Sequence, residues 1–434
     1  MRIRRATRSV YDRMPRSAPI AVFCLSALCA VAGAAEGDTG VPAEPFRAPY
    51  LPVNDSDVLQ DVPSAADPAV RRMQTLRAAF DAMPHELAAA ERLADAYIDY
   101  SRQIGDAHYA GYAEAVVAPW VTAAAPLAAA LVTQATILQY RHQFGDARTF
   151  LARAIARDPR NAQAWLTLAT LDMVQGDYPA ADTDCTKVAN DAGVETGVAC
   201  FGSLRLYTGN AHQGLTLLQQ VQTASARGSS AYRAWVEGLI AEGEERLGDW
   251  PAAEAHYRNA LQSAPEDNFL LVAYADFLLD RGRPREVLAL LADHTQSDTA
   301  FLRLALAQAD LGSAEVRRYT WIMAARFEAL RLRGSEYFGR EESRFALRLQ
   351  HDPQTALDLA LRNWQVQRAP WDARVVLEAA LAAKQPRAAA PVLEFLQKTH
   401  LEDPLLALQE KELRSLAVEG NGAAEVAGTA GARP

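Results

Sequence analysis

The 434-residue sequence carries none of the short motifs that mark common chemistries. There is no HExxH for a zinc protease, no Walker lysine loop or GxGxxG for nucleotide phosphates, no GxSxG for a serine hydrolase and no CxxCH for covalent haem. The eight histidines (His85, His108, His142, His212, His256, His294, His351 and His400) are scattered, and no two take metal-ligand spacing on one helix face. No catalytic residue, metal site or cofactor is therefore expected. Lysine is nearly missing, with only Lys187, Lys384, Lys398 and Lys411 beside abundant arginine, a bias that fits a GC-rich bacterial genome. β-branched runs are scarce and alanine is plentiful, which favours helix over sheet. Beyond residue 35 no segment is apolar for the roughly 20 residues a spanning helix needs, so no stable membrane insertion is expected of the mature chain.

What is present begins with an export leader. Six arginines from Arg2 to Arg16 precede an apolar run over Ala18–Ala32, closed by Ala32-Gly33-Ala34-Ala35. That is the order of a Sec signal peptide over residues 1–35, with cleavage after Ala34 or Ala35 and a periplasmic or secreted product. Retention as an anchor is the alternative. Without residues 1–35 the chain has 38 basic and 52 acidic residues, a net charge of −14. Such a surface disfavours nucleic acid and anionic lipid. Cys185 and Cys200 are the cysteines left after cleavage. In an oxidising compartment the pair reads as a disulfide, and equally as two buried small hydrophobes.

Residues 36–66, rich in Pro, Gly, Asp and Ala, read as a flexible linker, and helical periodicity runs from Asp67 to about Leu416. Inside it lies a 34-residue repeat. In 128–161, Ala135, Ala147, Leu151, Ala154 and Pro159 fall at positions 8, 20, 24, 27 and 32. In 162–195, Trp165, Leu168, Ala169, Ala181 and Val188 fall at 4, 7, 8, 20 and 27. The segment 234–267 matches with Ala241, Ala253, Tyr257, Ala260 and Pro265. Gly145-Asp146, Gly176-Asp177 and Gly248-Asp249 stand between the two halves of these repeats. Small side chains at 8 and 20 suit a close helix crossing, and a turn glycine supplies positive φ to end the first helix. Weaker copies extend the pattern over 67–301, and degenerate helical repeats continue over 302–416. Residues 417–434, rich in Gly and Ala, are expected to be a disordered tail.

This pattern resembles the tetratricopeptide-repeat (TPR) family. The resemblance implies an all-α, right-handed superhelical solenoid of antiparallel helix pairs, whose concave face takes a protein or peptide. It also implies which positions line that face: Arg92, Asp95, Asp99 and Arg102; Gln139 and Tyr140; Gln163; Trp235, Glu242, Glu245 and Arg246; and Phe269, Asp276 and Asp280. Asp95 with Asp99, and Asp276 with Asp280, are four apart and share helix faces, which is mildly unfavourable unless water or a cation neutralises them. The groove is thus expected to be acidic at Glu242, Glu245, Asp276 and Asp280, with Trp235 and Phe269 as apolar anchors. A plain solvated helix face is the bland alternative, and Trp235 becomes core if the register slips. The functional expectation is a non-enzymatic periplasmic scaffold. Its rivals are an enzyme or enzyme accessory with a site in the arginine-rich stretch 302–350, and a self-assembling structural oligomer.

Overall fold

The computed structural model describes residues 67–104, 108–225, 229–332 and 339–430, all within one compact unit. The leader 1–35, the linker 36–66 and the aromatic pair Tyr337 and Phe338 lie outside the described residues. Every regular element among the described residues is a helix. The stack opens with α1 (Pro68–Ala82), α2 (Leu87–Ile104) and α3 (His108–Val121). Helix pairs follow: α4 (Ala128–Tyr140) with α5 (Phe144–Arg157), α6 (Ala162–Gln175) with α7 (Tyr178–Asp191), and α8 (Val194–Leu206) with α9 (Ala211–Ser225). Next come α10 (Ser230–Leu247) with α11 (Trp250–Ser263), α12 (Asn268–Asp280) with α13 (Pro284–Leu290), and α14 (Asp298–Asp310) with α15 (Val316–Leu332). The chain ends with α16 (Gly339–Arg348), α17 (Pro353–Trp364), α18 (Pro370–Ala382), a 3-10 turn (Pro386–Ala389), α19 (Ala390–Thr399) and α20 (Pro404–Ala430). Most helices pack on the next and alternate helices such as α12 and α14 also touch, as in a solenoid, while α2 also touches the distant α12.

Local chemistry sets the pair boundaries. Asn161, Asp177, Asp249 and Asp267 cap α6, α7, α11 and α12, each side chain accepting from a backbone N–H three residues on. Gly176 and Gly248 close α6 and α10 at φ +77°. Gly145 behaves differently. The turn before α5 is made by His142 at φ +57°, and Gly145 lies inside the first turn of α5. Where the helices of a pair cross, Ala135, Ala147, Ala154, Ala169, Ala181, Ala241, Ala253 and Ala260 are fully buried, as the close approach of two backbones requires. The end of the chain departs from expectation. Instead of a disordered tail from residue 417, α20 continues to Ala430.

Cys185 on α7 and Cys200 on α8 are bonded, with Cα atoms 5.5 Å apart, and both side chains are buried in the core between those helices. That separation lies well inside the range a disulfide tolerates.

The late helices also return to the middle of the solenoid. The Arg368 N–H donates to the Val174 carbonyl at 2.7 Å, and the Ala211 N–H donates to the Glu402 carboxylate at 2.7 Å. Phe395 of α19 packs on Tyr178, with ring centroids 5.9 Å apart. His400 takes φ +55° beside Gly209 in the turn between α8 and α9. Three successive turns, α6–α7, α8–α9 and α10–α11, are thus met by residues 365–404 of the same chain. Closure on this scale has no trace in a 34-residue period.

Candidate functional site

The inner faces of α10 and α12 carry acidic residues because positions four apart lie one above the other on a helix. Glu242, Glu245 and Arg246 project from α10, and Phe269, Asp276 and Asp280 from α12. In the fold all six line one cavity of about 130 Å³. The opposite wall comes from Arg303 on α14, Arg340 and Arg344 on α16, Trp371, Arg374 and Glu378 on α18, and Asp403 before α20. Trp250 and Tyr257 of α11 complete the lining, and Phe269, 59% exposed, stands at the solvent side.

The acidic residues of α12 have partners within the chain. Arg303 holds Asp276 with two hydrogen bonds, at 3.0 and 2.7 Å, and Arg344 adds a third at 2.8 Å. Arg303 is 1% exposed and also bonds Glu341. Arg374 holds Asp280 through both terminal nitrogens at 2.5 Å each and Glu378 through Nε at 2.7 Å. Planar, two-pronged contacts of this kind are where arginine outperforms lysine. Burial alone would raise the Asp276 carboxyl, but Arg303 and Arg344 outweigh it and hold it below the usual carboxylate range. Burial works the same way on Glu378, and Arg374 wins there too.

The α10 side is different. Burial pushes Glu242 up to about 7, and Arg246 only partly opposes it. Burial also raises Glu245 to about 8, helped by the charges of Asp280 and Glu242 and opposed by a 2.5 Å hydrogen bond from the Tyr257 hydroxyl. Arg246 is itself buried. It reaches Asp403 at 3.6 Å and lies over the rings of Tyr207 and Trp371, at 5.1 and 5.7 Å.

The other expected concave-face residues do not join this cavity. Arg92, Asp95, Asp99 and Arg102 are exposed on α2. The Tyr140 hydroxyl donates to the Ser101 carbonyl at 3.1 Å and ties α4 to α2, with Gln139 half-buried beside it. Gln163 is exposed and bonds Thr167 within α6. Trp235 is 36% exposed and pairs with Tyr232, with centroids 5.7 Å apart. It shares a helix face with Glu242 but lies two turns before it on α10, outside the cavity lining. The anchor role expected of Trp235 therefore has no place in this cavity.

The stretch 302–350 divides. Arg317, Arg318 and Arg331 on α15 are exposed. Arg303, Arg340 and Arg344 turn inward to the acidic wall. The sequence signal for this was the surplus of arginine there, read against the acidic face of α10 and α12. Trp371, Arg374, Glu378 and Asp403 carry no local signal, since only tertiary closure brings them to the site.

No family model matches the chain, and no curated protein does. Solved structures do resemble it at low identity. The APC/C hetero-tetramer Cut9–Hcn1 matches at 12% identity over 80% of this chain and 52% of the other, with a TM-score of 0.40. The chain thus spans about half the length of that neighbour. A tetratricopeptide repeat protein of Parabacteroides merdae matches at 12% over 71% and 99%, with a TM-score of 0.34. Yeast Tom70 matches at 9% over 81% and 86%, with a TM-score of 0.37. These likenesses assign no partner; the TPR-like arrangement of the fold rests on the helix pairs and buried alanines of the chain itself.

Proposed function

We propose that this chain is a non-enzymatic scaffold, exported to the periplasm or secreted, that holds a protein or peptide partner at the cavity between α10, α12 and α18. The observation that carries the reading is the cavity itself. It lies on the inner side of a helical solenoid, has aromatic walls at Trp250, Tyr257 and Trp371, and has an exposed aromatic, Phe269, at its edge. Aromatic residues around a desolvated pocket are where binding energy concentrates. The buried Cys185–Cys200 bond suits an oxidising compartment, which supports export alongside the leader. Among the described residues no helix is long and apolar enough to cross a membrane.

The rival enzyme reading finds its charges committed. Glu341 is bonded to Arg303 and lies 3.1 Å from Arg340, and Glu342 pairs with Arg331. Perturbed carboxyls in a cleft also serve acid–base catalysis, but Glu242 and Glu245 have no nucleophile or ordered base beside them among the described residues.

The test is a photocrosslinking amino acid at Phe269, with Trp321 on the outer face of α15 as the control, in cells of the native host. The expected result is one specific partner captured from Phe269 and not from Trp321. Equal capture from both, or none from Phe269, contradicts the reading. Mass determination of the exported chain, expected to begin after Ala34 or Ala35, checks the compartment.

A further inference from the structure

We propose that the cavity receives a single ammonium group of a peptide, either a lysine side chain or a free N-terminus, bound against Glu242 and Glu245 with Trp250 and Phe269 beside its stem; this rests on the reading of the cavity as the partner site. The argument begins with the pairing of charges around the cavity. Its lining holds six carboxylates and five guanidinium groups. Asp276 is bound by Arg303 and Arg344, Asp280 and Glu378 by Arg374, and Asp403 lies within reach of Arg246. Two carboxylates are left over. Among the described residues, neither Glu242 nor Glu245 has a guanidinium in ion-pair range. Glu245 accepts one hydrogen bond, from Tyr257. Glu242, 5% exposed, accepts none.

A buried carboxylate without donors is costly, and proteins seldom keep one without a use. The missing component here is a cation with several N–H donors and small enough to enter a space of about 130 Å³. An ammonium supplies three donors at a point, and its methylene stem suits the apolar lining of Trp250, Phe269 and Val272. A simple anion meets the opposite situation, because Arg303 and Arg374 are already saturated by carboxylates. Among the described residues, the buried Nε of Arg246 is a lining donor with no acceptor. A peptide carbonyl close to the ammonium fills it, which favours a peptide over a bare amine.

The experiment titrates the full chain by calorimetry with four short peptides of equal length. One has a blocked N-terminus and a central lysine. A second has a free N-terminus and no lysine. The third and fourth are blocked, with norleucine or glutamate in place of lysine. Binding of the first or the second, and not of the third or fourth, supports the inference, and the stronger of the first two identifies the source of the ammonium. Glu242→Gln with Glu245→Gln is expected to weaken that binding about tenfold or more, as loss of a buried charge partner does. Equal binding of the lysine and norleucine peptides, preference for the glutamate peptide, or no binding of any peptide at millimolar concentration overturns the inference. The peptide comparison uses the unaltered chain, so it stands even if the double variant folds poorly. The two proposals also fail separately. Capture of a partner at Phe269 that survives the double substitution sinks the ammonium site and leaves the scaffold. Selective ammonium binding without any captured partner does the reverse.

Discussion

Replacing Glu242 by glutamine should change how stability depends on pH. In the folded chain burial raises this carboxyl from 4.5 to about 7. The folded state therefore binds its proton more tightly than the unfolded state does. Between those two values the native chain carries more protons, so stability falls as pH rises. The contribution is fully present below 4.5 and is lost as pH climbs through about 7. At about 1.4 kcal/mol per unit, the rise corresponds to on the order of 3 kcal/mol by pH 8. Glutamine keeps the shape of the neutral acid and cannot ionise. Glu242→Gln should thus match the parent near pH 5 and exceed it by up to about 3 kcal/mol at pH 8. Asp184, raised by burial to about 7, and Glu245 titrate in the same window with the same sign. His142, lowered by burial to about 4, acts with the opposite sign below its ordinary value. Asp184 and His142 are common to both proteins and drop out of the difference, whereas Glu245 loses the raising effect of the Glu242 charge in the variant, which adds to the variant's advantage at high pH. The assay is the urea midpoint at pH 5, 6, 7 and 8 for both chains. Parallel curves, or a variant that loses ground as pH rises, would show that the carboxyl is not buried in this way.

Three further outcomes follow from individual contacts. Arg303→Met should cost about 3 kcal/mol in urea unfolding, because it removes the buried partner that Asp276 and Glu341 share and leaves them only Arg344 and Arg340, and adding Asp276→Asn should recover part of the loss; a cost under 1 kcal/mol would refute the buried triad. Replacing both Cys185 and Cys200 by alanine should cost about 3 kcal/mol, as expected for a bond closing a span of 15 residues, and reductant should destabilise the parent and leave the variant unchanged. Gly176→Ala and Gly248→Ala both force alanine into φ +77°, but a Cβ at 176 would lie 2.7 Å from Phe395, whereas at 248 its nearest neighbour is 3.6 Å away. Gly176→Ala should therefore unfold at lower temperature than Gly248→Ala, by an added cost of about 1–3 kcal/mol, and equal melting temperatures would deny the contact between α19 and the α6–α7 turn.

The pairwise part of this fold is legible because its causes are local. An alanine at a crossing, an aspartate at an N-cap and a glycine at positive φ each act within one repeat, so Ala169, Asp177 and Gly176 announce α6 and α7 without help from elsewhere. Even there the rule loosens. His142 takes the left-handed turn that a glycine was expected to supply, since the nearby Gly145 is already inside α5. The site is less legible. Asp95 with Asp99 and Asp276 with Asp280 have the same spacing and both fall on positions expected to line the groove, and nothing in either segment separates them. The first pair is exposed on α2. The second is bound by arginines 27, 68 and 94 residues away along the chain. Periodicity places a side chain on a face, but which faces meet depends on how the whole array curves.

That curvature bears on what the protein can hold. An open solenoid presents a groove wide enough for a helix, which is about 10–12 Å across with its side chains. Here α16, α18 and the segment before α20 stand where such a helix would lie, and their arginines already neutralise the acidic face of α12. A partner that needed the whole groove would have to break the Arg374–Asp280 and Arg303–Asp276 contacts together, both of them partly or wholly buried and two-pronged. The space left, about 130 Å³, has the scale of one side chain or one chain end. Closure thus narrows a general peptide groove to a pocket for a single group, and the unpaired acids of α10 determine the charge that group must carry.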